Sequence, residues 1–202
     1  MTAATIATPR LPRAAGIAVI VWLALALLAG ATGFLVRLPF PGPQLIFLAL
    51  FVATLVAVTA VPRLRAWVDA VPLRALIGIN AFRFVGITFL VLAARGQIDA
   101  VFAARAGWGD IATAALALIL AAAGEPRSSL QRGLRHAWNA LGFLDLVVAV
   151  GTATAVTLQG STPGIAPVLQ LPLVLIPTFV VPVFLASHIV IFRRLRAAAH
   201  GA

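Results

Sequence analysis

The chain has 202 residues, 62% hydrophobic and 10% charged, with a mean hydropathy of +1.10; a soluble domain carries about 25% charged residues, so a water-soluble globule is excluded and a bilayer-embedded helical bundle is expected. The formal net charge is +10, which in a soluble chain would suggest nucleic acid; here the Lys/Arg side chains are all arginines, and all but Arg83 lie near the ends of apolar runs, so the lipid bilayer is the expected partner and nucleic acid is not. Cysteine is absent, which excludes disulfides, thiolate metal sites and thiol redox chemistry.

The first apolar run, Ala14 to Val36, exceeds the roughly 7–15 apolar residues of a signal peptide. It reads as an uncleaved first span over about 15–36. A second span is expected over 44–61. The stretch PRLRAWVDAV (62–71) places Leu64, Trp67, Val68 and Val71 at helical spacing, with Arg63, Arg65 and Asp69 elsewhere on the turn. That split predicts a short amphipathic helix lying in the headgroup plane. The third span, 74–94, is interrupted by Arg83. In QIDAVFAARAGW (97–108), Ile98, Val101, Phe102 and Arg105 show a similar split and predict a second interfacial helix.

The fourth span, 110–123, is short and rich in alanine. Asp110 reads as an acid at its N-terminus, favoured there by unpaired N–H groups and the macrodipole. Thr113, Ala117 and Ala121 form a small-residue face suited to close helix contact, which places this span near the centre of the bundle. Gly124 and Pro126 end it, and Glu125 is expected to be solvated. The fifth span is 137–158, followed by an uncharged irregular loop, GSTPGIAP (160–167). The sixth is 171–192, carrying Pro172, Pro177 and Pro182. Trp67, Trp108 and Trp138 fall near expected boundaries, as aromatic anchors do.

The arginines test this count. With both termini in the cytoplasm, eleven arginines fall inside (10, 13, 63, 65, 74, 127, 132, 135, 193, 194 and 196) and three outside (37, 95 and 105). This positive-inside asymmetry supports a single transmembrane domain over 1–202 with six spans.

The stretches FRFVGITFLVLAARG (82–96), AGWGDI (106–111), HAWNALGFLDLVVAV (136–150) and LASHIVIFRRL (185–195) resemble an uncharacterised family of small bacterial multi-pass integral membrane proteins. The resemblance implies a bacterial inner-membrane location and supplies no activity.

A charge at a helix centre is costly and usually faces a partner or a cavity. Arg83 lies nine residues past Arg74, and Asp145 nine past His136; at 1.5 Å per residue both sit roughly 13 Å deep. They are expected to pair, in a buried polar cluster with Asn80 and His188. Three functions fit this reading. One is passage of a small solute, proton or ion between the third, fifth and sixth spans, with a homo-oligomer or larger membrane complex as the working unit. Another is a structural or assembly subunit without chemistry of its own. The third is non-covalent haem b binding through His136 and His188, with Arg132, Arg135, Arg193 and Arg194 near the propionates. No catalytic group and no other metal site is expected. HExxH and GxSxG are missing, and Ser187 beside His188 diverges from it by about 100° around the helix.

Overall fold

The structure is a computed structural model that describes residues 11–200, with side chains to residue 197; Arg10 lies outside the described residues. Among these residues the fold is all-helical. Six helical runs are long and apolar enough to cross a bilayer: Arg13–Ala31, Gly42–Ala60, Leu73–Ala94, Ala100–Ala122, Ser129–Gln159 and Ile176–Ala197.

The elements are α1 (Arg13–Ala31), a one-turn α2 (Phe34–Arg37), α3 (Gly42–Ala60), α4 (Pro62–Ala70), α5 (Leu73–Gly78), α6 (Gly86–Ala94), α7 (Ala100–Ala122), α8 (Ser129–Gln159) and α9 (Val181–His200). A 3-10 segment, Ile79–Val85, joins α5 to α6, and a π-turn, Ile176–Val180, leads into α9. The first span ends at Ala31 rather than Val36. Gly33 takes a left-handed φ of 63° there and turns the chain into α2. The sixth span starts at Ile176, five residues later than expected. Pro172 and Pro177 lack the N–H donors that an earlier helical start would use.

Helix α7 is the centre of the bundle, packing on α5, the 3-10 segment, α6 and α8. Its small residues allow this. Ala103, Ala106, Gly107, Ala114 and Ala117 are all buried. A Cβ built on Gly86 would lie 2.9 Å from the Gly107 carbonyl oxygen, so α6 and α7 cross almost backbone to backbone.

The interfacial helix expected over 97–108 is not separate; those residues are the first turns of α7. Asp99 caps them by accepting from the Phe102 N–H at 2.8 Å. Ile98 and Phe102 turn into an apolar cluster with Phe89, Val156 and Val168 instead of toward headgroups. Arg105 misled the reading: it lies on an exposed face and donates to Thr152 Oγ1 at 3.4 Å. Asp110 is therefore mid-helix and not at a helix start. By contrast α4 forms as expected. Asp69 pairs with Arg193, the Val71 carbonyl accepts from Arg194, and Val68 joins a second apolar cluster with Leu73, Ile77, Ala117 and Ile191.

Helix α8 starts at Ser129, a turn or two before the expected boundary. Trp138 is consequently not a headgroup anchor. It is 3% exposed, and its indole donates to the Thr113 carbonyl at 3.1 Å. Trp138→Phe keeps an aromatic ring but removes this bond and part of the buried indole; a loss of at least about 1 kcal/mol is expected in thermal unfolding of the detergent-solubilised protein. An unchanged melting temperature would show that the bond contributes nothing.

A candidate charge centre at the crossing of three helices

The two apolar clusters lie toward opposite ends of the bundle. On the third span, on α7 and on α8, polar residues fall in sequence between them. The first is Arg83, carried on the 3-10 segment, whose three-residue repeat puts Asn80 and Arg83 on one face. Asn80 donates to the Leu76 and Ile77 carbonyls at 3.2 and 3.3 Å. It thereby satisfies acceptors near the point where the α-helix tightens.

Arg83 is 1% exposed and spreads its guanidinium over two neighbouring helices. Nε donates to Asp110 Oδ1 at 2.7 Å, Nη1 to the Gly142 carbonyl at 3.0 Å, and Nη2 to Asp145 Oδ2. Arg83 and Asp145 thus meet, and Asp110 joins them. Each carboxylate sits against a glycine. A Cβ on Gly86 would lie 2.6 Å from Asp110 Cβ, and a Cβ on Gly109 would overlap the Asp145 carboxylate. The small residues that bring the helices together are therefore also the seats of the acids. Formally, two carboxylates share one guanidinium, which leaves one negative charge in excess.

The two acids face different surroundings. Asp110 lines a partly open cavity of about 80 Å³ among Phe47, Phe89 and Phe102. The Asp145 side chain, 15% exposed, lies at the α7–α8 seam beside Gly109. A second space, about 430 Å³, shares the walls Phe47, Val150, Ala153 and Pro177 with the first; it extends to Gln44 and the Gly160–Ala166 loop.

His188 stands one step from this centre. Its ring fills the notch left by Gly142, where a Cβ would be 2.8 Å from His188 Cε1 and 2.9 Å from Thr113 Cγ2. Gly142 is the shared element, giving its carbonyl to Arg83 and its bare Cα to the imidazole. Asn139 fixes the tautomer. Its Nδ2 donates to the His188 carbonyl at 2.9 Å, so its Oδ1 must accept from His188 Nδ1 at 2.7 Å. The lone pair is then on Nε2, which is buried without a hydrogen-bond partner.

With the fold and this geometry in view, the chain can be placed among known proteins. Residues 40–196 match a protein family described as a domain of unknown function, DUF8737. The chain belongs to that family. No curated protein and no solved structure matches it. The DUF8737 region takes in α3 to most of α9, and with them every residue of the charge centre.

Two residues of this DUF8737 chain depart from the sequence reading. Asn139, two residues past the expected start of the fifth span, is buried and orients His188. Arg135 was expected on the cytoplasmic surface and near a haem propionate, yet it is 1% exposed. It donates to the Leu120, Gly124 and Gln131 carbonyls at 3.2, 2.7 and 3.0 Å. Its counter-charge is the C-terminal end of α7, where free carbonyls and the macrodipole favour a cation. His136 packs near Phe192, with centroids 6.3 Å apart, whereas His188 packs near Trp138 and Phe143. Nε2 of His188 faces the Gly142 backbone: a Cβ there would be 3.2 Å away.

Proposed function

We propose that this protein lies in the bacterial cytoplasmic membrane with both ends inside and passes a small cation, the proton included, through the Arg83–Asp110–Asp145 centre. The observation that carries this is the surplus carboxylate, with Asp110 in the wall of a cavity. Arg135 is buried with backbone carbonyls as its partners, so holding a buried arginine does not call for a second acid; the two acids at Arg83 hold negative charge available to a passing cation. With the ends inside, the Gly160–Ala166 loop is on the outer side, and the larger space is the outer vestibule. Arg83 sets the position of both acids and repels a cation from the bundle axis, so Asp110 is the first charged contact from outside. His188 and Asn139 form the inner, closed side.

The test is flux in proteoliposomes under an imposed potential, read with a pH dye and with a potassium gradient. Asp110→Asn is expected to lower flux by about tenfold or more, equivalent to about 1.4 kcal/mol in the barrier. Equal flux in folded wild type and variant would remove Asp110 from the path.

A second reading also has an observation behind it. Each guanidinium nitrogen of Arg83 makes a hydrogen bond, and the three bonds join the third span to α7 and α8. On that reading the centre is a staple of an assembly subunit, and no variant of it would alter flux except through folding.

A further inference from the structure

The walls of the inner cavity narrow the class of cation. Phe47 from α3, Phe89 from α6 and Phe102 from α7 are among its walls, and Asp110 is the one ionisable wall residue among the described residues. The Phe89 and Phe102 rings are 5.3 Å apart and tilted by 59°. Hard metal cations take about six or more oxygen ligands, and here one carboxylate is set among carbon walls. Aromatic faces with a carboxylate suit an organic ammonium, which is attracted by ring quadrupoles and sheds its weaker hydration more readily.

The adjoining vestibule gives that cation a body. Its walls are mainly apolar, with polar groups at Gln44, Thr154, Thr157 and Ser161. The threonine hydroxyls already donate to the Val150 and Ala153 carbonyls. Gln44 Oε1 is buried and has no hydrogen-bond partner. A volume of about 430 Å³ with apolar walls and a few polar groups is of the kind that holds a small organic ligand.

We propose that the two adjoining cavities bind an amphipathic organic ammonium. Its charged head lies against Asp110 and the phenylalanines, and its apolar body fills the vestibule. This deepens the passage reading by naming the chemical class of what passes, and it rests on that reading only for transport, not for binding.

The experiment is calorimetric titration of the full chain in nanodiscs with 4-phenylbutylamine, protonated at neutral pH, and with its neutral counterpart 4-phenylbutanol. The amine is expected to bind saturably and about tenfold tighter than the alcohol, because a charge-assisted contact is added. Asp110→Asn is expected to erase that difference. Ala153→Leu narrows the junction of the two cavities without touching the ionic centre; it is expected to weaken the amine while leaving the protein folded. Equal affinity for amine and alcohol, or amine binding indifferent to both variants, would overturn the site. Amine binding without any cation flux would leave the site standing and sink the passage reading. Flux without preferential amine binding would do the reverse.

Discussion

Arg83→Leu is expected to be the most damaging single substitution in this chain. Arg83 is fully enclosed, and its loss would leave Asp110 and Asp145 facing each other across an apolar interior. Removing one partner of a buried pair costs about 3–5 kcal/mol, and here both acids lose their partner at once. Most of the marginal stability of a small protein is of that order. The expected result is a sharp fall in yield from membranes and in the melting temperature of what survives solubilisation. Arg83→Lys is expected to rescue little, since one ammonium cannot reproduce three bonds in three directions. If Arg83→Leu melted with the wild type, the three bonds would not exist in the folded protein.

Gly109→Ala is expected to have the second largest effect. The added Cβ would fall on the Asp145 carboxylate, and the helix backbone cannot move away without disturbing the α6–α7 crossing two residues earlier. Asp145 must then leave Arg83. Overpacking of this kind costs about 1–3 kcal/mol, to which part of the broken ion pair is added. Gly151→Ala on α8 is the matched control, because nothing lies within 4 Å of a Cβ there. It is expected to be neutral or mildly stabilising, as alanine is the better helix former. Comparing the two melting temperatures checks the packing; equal tolerance of both alanines would contradict it.

How far these features could be read from sequence depends on whether they are local. The helical class and the number of apolar spans follow from hydropathy, since lipid imposes a length on every run. The Arg83–Asp145 pair followed from depth counting, because both helices start from the same side. Asp110 was missed because Arg105 made the first turns of α7 resemble a surface helix, which moved Asp110 from mid-span to a boundary. Asn139 and Arg135 were missed for a related reason: α8 was started too late. Yet Arg135, Asn139, Gly142 and Leu146 recur at three- and four-residue steps, all buried, and that periodicity is a core-face signal. The glycine seats under the two acids were not legible, because each depends on which helix lies opposite.

If the centre works on a cation and does more than hold helices together, flux must depend on its charges. The most direct measurement is flux through the triple variant Arg83→Leu, Asp110→Leu, Asp145→Leu in proteoliposomes. Replacing a complete buried ionic group with apolar residues is often neutral or stabilising, so this variant is expected to fold even though Arg83→Leu alone does not. The expected result is a folded protein whose cation flux falls to that of empty liposomes. A folded triple variant with wild-type flux would contradict it and leave the charge centre as a staple.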